Sequence, residues 1–183
     1  HNEIINGGER MYTNLPHYKV TESDEVWMED LLEKYHRKIF TYCYNILRDI
    51  HDAEDATQEV FMKAFNSRSK TNITNSNAWL YKIAYNHCLN KLKRKSIITF
   101  LPFKEDYKIE GENIEGYDFE LNLILSKLKP KERALVVLRI IEDKDYADIA
   151  SILGISQQAA RKRFERVKEK ILKIIEGRNK DGQ

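Results

Sequence analysis

Apolar residues recur at steps of three and four along most of this chain, the spacing that lines one face of an α-helix. Met28, Leu31, Leu32, Tyr35, Ile39, Tyr42, Cys43 and Ile46 form the first stripe and predict a long helix over 28–47. A second stripe comprises Ala53, Ala56, Thr57, Val60, Phe61, Ala64 and Phe65. It predicts a helix opening after Asp52 as N-cap, with Glu54 and Asp55 in the first turn, where the helix dipole favours acids. Residues 66–76 are mostly Ser, Thr, Asn and Lys, so a loop is expected there. A third helix is expected over 77–95, burying Leu80, Ile83, Ala84, His87, Cys88 and Leu92.

The pattern stops at 105–120. Glu105, Asp106, Glu110, Glu112, Glu115, Asp118 and Glu120 face only Lys108, and Gly111 and Gly116 break any period, so an acidic tether is expected. Helical spacing resumes with Leu121, Ile124, Leu125 and Leu128 and halts at Lys129, with Pro130 placed to start the next helix. Ala134, Leu135, Leu138 and Ile141 continue to a turn at 142–144. Asp145 is positioned to cap a short helix carrying Ile149, Ala150, Ile152 and Leu153. Gly154 and Ile155 make a tight turn, and Ser156 caps a long last helix reaching Ile175 and stopped by Gly177. The expected fold is all-α: two small helical domains, an N-terminal bundle over 21–98 and a C-terminal helix-turn-helix domain over 120–178, joined by the linker 99–119.

Composition supports that reading. Seven Gly and three Pro are few for 183 residues, which suits long helices better than a turn-rich sheet. With 42% hydrophobic and 33% charged residues the chain is expected to be globular rather than disordered. No apolar run is long enough to span a bilayer, and no signal peptide is expected at the start. His1 suggests an expression remnant before a native start at Met11, so residues 1–20 are set aside as an extension. Cys43 and Cys88 lack CxxC spacing and are expected to be buried, reduced thiols in a cytosol.

The formal net charge of +2 hides an uneven distribution. The stretch YADIASILGISQQAARKRFER at 146–166 has helix-turn-helix spacing: Ala150 lets two helices approach, Gly154 takes the turn's backbone angle, and Ala160 packs the second helix on the first. That second helix carries Arg161, Lys162, Arg163, Arg166, Lys168, Lys170 and Lys173 against Glu165 and Glu169. A recognition helix presents such cations to phosphates and base edges in the major groove. A second basic concentration, Lys82, Lys91, Lys93, Arg94 and Lys95, is interleaved with Trp79, Tyr81 and Tyr85. Rings beside cations suit unpaired bases, which stack on the rings while cations follow the phosphates. The plainer alternative makes Trp79 and one Tyr core residues.

Three segments, in order, resemble the bacterial RNA polymerase sigma factors: HDAEDATQEVFMKAF at 51–65, AWLYKIAYN at 78–86 followed by the cations to Lys95, and the stretch from LSKLKPKER at 125–133 to Arg166. They look like the helix that docks on the clamp coiled coil of the polymerase, the promoter-melting helix and the upstream-element reader. The middle regions of the large housekeeping factors have no counterpart, which points to the extracytoplasmic-function (ECF) group. The resemblance implies core-polymerase docking by Asp52, Asp55, Gln58 and Glu59. It implies that the loop 67–75, with Ser67, Asn72 and Asn75, holds a flipped base of the minus-ten element; unstacking a base costs a few kcal/mol, so a preformed pocket couples recognition to strand opening. Trp79, Lys82, Asn86, Lys91 and Arg94 match positions near the opened strand. Ser156, Gln157, Arg161, Lys162, Glu165 and Arg166 match positions that approach the minus-thirty-five duplex.

Two departures stand out there. Gln158, Ala159 and Ala160 replace the family's common Gly-Thr-Val, and Glu165 is an acid on a DNA-facing side, free to accept from a cytosine or to pair with Arg161. The expected partners are core polymerase (clamp coiled coil and flap), promoter DNA and an anti-sigma protein; no cofactor, metal or membrane insertion is expected. The expected location is the bacterial cytoplasm, with an anti-sigma protein able to hold the chain at the inner membrane. Two rivals fit less of the chain. A metal enzyme built on His51, Glu54, Asp55 and Glu59 lacks a facing helix to complete the site. A duplex-binding regulator has no use for the docking and melting helices.

Overall fold

The computed structural model describes residues 21–68, 75–99 and 119–181; the extension 1–20, Asn72 and most of the expected acidic linker lie outside them. Helix α1, Glu22–Leu47, starts six residues earlier than its apolar stripe predicts. Thr21 explains the difference: its hydroxyl accepts from the Asp24 amide while the Asp24 carboxylate accepts from the Thr21 amide, a capping box. The helix ends where Arg48 adopts a left-handed conformation, φ 62°.

Only two residues separate α1 from α2, Ile50–Ser67. Its N-cap is Asp49, whose side chain accepts from the Asp52 amide at 2.8 Å. The sequence pattern predicts Asp52 in that role; the first acid to reach a free amide takes it, and Asp52 falls inside the first turn. Ala53, Ala56 and Ala64 are fully buried, and such small side chains bring α2 close to its neighbours. Helix α3, Ser76–Thr99, completes the bundle. Tyr42 of α1 and Tyr81 of α3, both fully buried, meet edge to face with ring centroids 5.0 Å apart.

The second half follows the local signals in its sequence. Helix α4, Phe119–Ser126, leads to α5, Pro130–Val136, whose first residue is the predicted Pro and whose N-terminus is closed by the Lys129 amide donating to Glu132 at 2.7 Å. The same Glu132 carboxylate accepts from Lys170 at 2.8 Å. Burial works against this carboxylate's charge, but hydrogen bonds from Lys170 and the Lys129 amide outweigh it and hold Glu132 below the usual range. A π-helical turn, Val137–Ile141, continues α5. Asp145 caps α6, Tyr146–Leu153; Gly154 turns at φ 66°; and Ser156 accepts from the Ala159 amide at 3.1 Å to open α7, Gln157–Asp181. Gly177 does not stop α7. An exposed glycine inside a helix costs only about 1 kcal/mol relative to alanine, too little to end a long helix by itself.

The two halves are not separate bodies. Helix α3 packs on α6, and α1 on α5, so the buried side chains of both halves join in one continuous cluster. Arg133 holds this junction. The residue is only 7% exposed, and its guanidinium donates to the Leu128 carbonyl at 2.6 Å and across the junction to the Ile46 carbonyl at 2.7 Å. Arg48 reaches Asn122 at 3.1 Å, Asn75 reaches Asp148 at 3.4 Å, and the Lys144 ammonium lies 5.3 Å from the Tyr81 ring centre.

Replacing Arg133 with Leu leaves two buried carbonyls without their charged donor, a loss of about 2–4 kcal/mol. Urea unfolding checks this; a change below about 1 kcal/mol would show that the junction does not depend on Arg133.

Candidate polymerase and nucleic-acid surfaces

The four acids and amides expected to dock polymerase do not share one environment. Asp55, Gln58 and Glu59 are exposed along α2. Asp52, with 15% of its side chain exposed, turns toward α3, where its carboxylate pairs with Lys91 at 3.1 Å and also with Lys95. Lys91 further reaches Asp55 at 3.4 Å. Burial works against the Asp52 charge, yet the hydrogen bonds from Lys95 and Lys91 outweigh it and hold the carboxyl below its ordinary value. Farther along the seam, Lys63 pairs with Glu59 at 3.9 Å and contacts His87 at 2.7 Å. Burial first, and then the Lys63 charge, lowers the His87 pKa, which keeps the ring neutral. The acidic face of α2 thus runs beside the basic side of α3 and is stitched to it.

On α3 the exposed strip is narrow. Lys82, Asn86, Lys93, Arg94 and Lys95 are exposed, while Trp79 and Lys91 are half-buried. Tyr81 and Tyr85, expected as stacking rings among the cations, are both buried. Tyr81 is held between Tyr42 and Lys144, and burial raises the Tyr85 hydroxyl pKa, partly offset by the Arg163 charge. Of the three rings only Trp79 keeps an accessible face.

Two residues expected in the base-holding loop have structural partners at its ends. The Ser67 hydroxyl donates to the Lys63 carbonyl at 2.5 Å, and the Asn75 side-chain oxygen caps α3 by accepting from the Ala78 amide at 3.1 Å. Sequence reasoning missed Arg68. It lies over the Phe65 ring, 3.7 Å from the centroid, donates to the Phe65 carbonyl and pairs with Asp24 at 2.8 Å. The Arg68 hydrogen bond, with those from Thr21, holds the Asp24 carboxyl well below the usual carboxylate range. The pairing joins residues 44 apart, so no local motif announces it.

On α7, Gln157, Arg161, Lys162, Glu165 and Arg166 are all exposed on the helix that follows the turn, and Ser156 is its cap. Glu165 pairs with Lys168 at 2.6 Å, not with Arg161 as its spacing allows; a lysine on the next turn toward the C-terminus also complements the dipole.

These three surfaces coincide with two family matches. Sigma-70 region 2 matches residues 31–97, which cover most of α1 and all of α2 and the described side chains of α3, and Sigma-70, region 4 matches residues 118–171. The chain belongs to the sigma-70 family. Several of its relatives are named as ECF factors: the ECF RNA polymerase sigma factor SigW of Bacillus subtilis (strain 168) is 28% identical over 182 residues, spanning 86% of this chain and 93% of that protein. Two solved structures share the two-domain helical fold. One is the sigma factor RpoE in complex with the anti-sigma factor NepR from Bartonella quintana, with TM-score 0.69 and 19% identity over 81% of this chain and 96% of that one. The other is CnrH in complex with the cytosolic domain of CnrY, with TM-score 0.63 and 17% identity over 84% and 90%. Among the described residues of this sigma factor no helix is long and apolar enough to cross a membrane.

The Asp52 pairing has a definite pH signature. A carboxyl whose folded pKa is depressed contributes stability above its unfolded value, about 3.9, and loses it as pH falls through the lower folded value. Acid unfolding of wild type and Asp52→Asn should therefore differ by a constant amount above about pH 5 and converge below it. A gap that persists unchanged to pH 2 would show that the carboxylate charge is not what matters.

Proposed function

We propose that this sigma factor docks on core RNA polymerase through Asp55, Gln58 and Glu59, and there directs initiation at promoters it reads twice. The segment 67–75 and the exposed strip of α3, with Trp79, Lys82, Asn86 and Arg94, take the opened minus-ten strand. Helix α7, with Gln157, Arg161, Lys162, Glu165 and Arg166, takes the minus-thirty-five duplex. The observation that carries this reading is the seam between α2 and α3, an acid-and-amide strip beside a cationic strip that a simple duplex binder does not need. Asp52 serves there as an internal counter-charge that fixes Lys91 and Lys95, rather than as a surface contact. The proposed domains are 21–98 and 120–178. The chain itself catalyses nothing, and the polymerase supplies the chemistry.

The junction between the halves sets a condition on this function. The two promoter elements stand roughly 25 base pairs apart, or roughly 85 Å along the duplex at 3.4 Å per step. A chain whose α3 lies on α6 cannot reach both, so engagement requires the halves to part. Docking on polymerase supplies the energy for that, and an anti-sigma protein in the bacterial cytoplasm, able to hold the chain at the inner membrane, acts against it by favouring the packed arrangement.

Run-off transcription with core polymerase tests the reading as a whole, and initiation from no promoter, its own operon's included, would sink it. The division of labour has its own test. Asp55→Ala with Glu59→Ala should weaken polymerase association at least tenfold and leave upstream-duplex recognition intact, whereas Arg161→Ala with Arg166→Ala should do the reverse. Equal loss of polymerase binding by both pairs would refute the assignment.

A further inference from the structure

Tyr146 opens α6, and nothing in the sequence motif marks its ring as more than a filler between helices. In the fold two guanidinium groups converge on it. Arg161 of α7 has its Cζ 5.2 Å from the ring centre, and Arg139 of the π-helical turn has its Cζ at 5.4 Å. Phe164, one turn after Arg161, meets the ring edge to face at 6.3 Å and 67°, which fixes the ring against the recognition helix.

The two arginines are used differently. Arg139 is tied back into its own turn, donating to the Lys144 carbonyl at 3.0 Å and to Asp143 at 3.3 Å. Arg161 has no carboxylate within 4.0 Å among the described residues, because Glu165, one turn away, is taken by Lys168 at 2.6 Å. A guanidinium lying over an aromatic ring is attracted through its face, and its N–H donors point outward at the edge. The stem is then restrained while the hydrogen-bonding fork stays available, on an exposed position five residues into the helix that follows the turn.

We propose that Tyr146 is a positioning residue that holds the Arg161 fork for two parallel hydrogen bonds to a guanine of the upstream duplex. Arg161 is thereby a base reader rather than a phosphate contact. The proposal rests on α7 being the upstream reader, as argued above. The chemistry is that of guanine, whose O6 and N7 are adjacent acceptors in the major groove and match a bidentate arginine; adenine offers a donor where guanine offers O6. A lysine in place of Arg161 keeps the charge and loses the fork. Removing the ring keeps the fork and loses its restraint.

The test uses the holoenzyme, full chain plus core polymerase, selecting from promoter duplexes randomised across the upstream element. Wild type should enrich guanine at one position, and guanine→adenine there should weaken binding about tenfold or more. Tyr146→Phe keeps the ring and should retain the preference. Tyr146→Leu should reduce it to about twofold at that same position, leaving binding to duplexes without the element unchanged, and Arg161→Lys should reduce the preference likewise. Tyr146→Leu added to Arg161→Lys should cause no further loss of preference. A Tyr146→Leu variant that keeps the full preference, or that weakens all duplexes equally, overturns the proposal; the second result would make Arg161 a phosphate contact. Run-off initiation by the wild-type holoenzyme in either case would show that the sigma-factor reading stands while this one fails.

Discussion

The packing of the two described halves against each other centres on one buried cation. Arg133 places a guanidinium where the last turn of α1 presents the Ile46 carbonyl, left unpaired by helix geometry, and the turn between α4 and α5 presents the Leu128 carbonyl. Helix C-termini carry partial negative charge, so a cation is favoured at that spot and its desolvation is offset by the two acceptors. With α1 thus tied to α5, α6 comes to rest on α3, and the cores of the two halves merge. The two halves proposed above to read separate promoter elements are, in this arrangement, in contact.

That contact explains where the sequence was legible and where it was not. Caps and turns were legible because their partners lie three or four residues away: Asp145, Ser156, Gly154 and Pro130 all occupy their predicted places. The all-helical fold and its two-part order were legible for the same reason, through the apolar stripes. Tyr81 and Tyr85 were misjudged because α3 is covered on two sides, by its own bundle and by α6, so it has no clean polar face to read. Asp52 was misjudged twice, as cap and as surface acid. Asp49 reaches the amide first, and Lys91 and Lys95 sit 39 and 43 residues downstream. A one-dimensional pattern cannot show an ion pair of that span.

The candidate site was legible as a set of residue types and less so as a set of roles. The expected members Asp55, Gln58, Glu59, Lys82, Asn86, Arg161 and Arg166 are all exposed. Ser67, Asn75 and Ser156 make hydrogen bonds at helix ends. Lys91 and Lys95 arrive already neutralised. A lysine with a protein counter-charge releases fewer bound ions when it meets a phosphate, so the cations of α3 contribute less to non-specific affinity than their number suggests.

The bridges from Arg133, Arg48 and Asn75 can also be expressed as a fraction of time. If together they favour the joined halves by about 3 kcal/mol, roughly one molecule in 150 stands open at any moment. A ligand that needs the open chain then sees its apparent dissociation constant raised by that same factor, with no change in any contact it makes. On the proposed docking, which needs the open chain, the strength of the junction would set the concentration threshold at which this sigma factor competes with others for a limited pool of core enzyme. Substitutions far from every DNA-facing residue can shift that threshold in either direction.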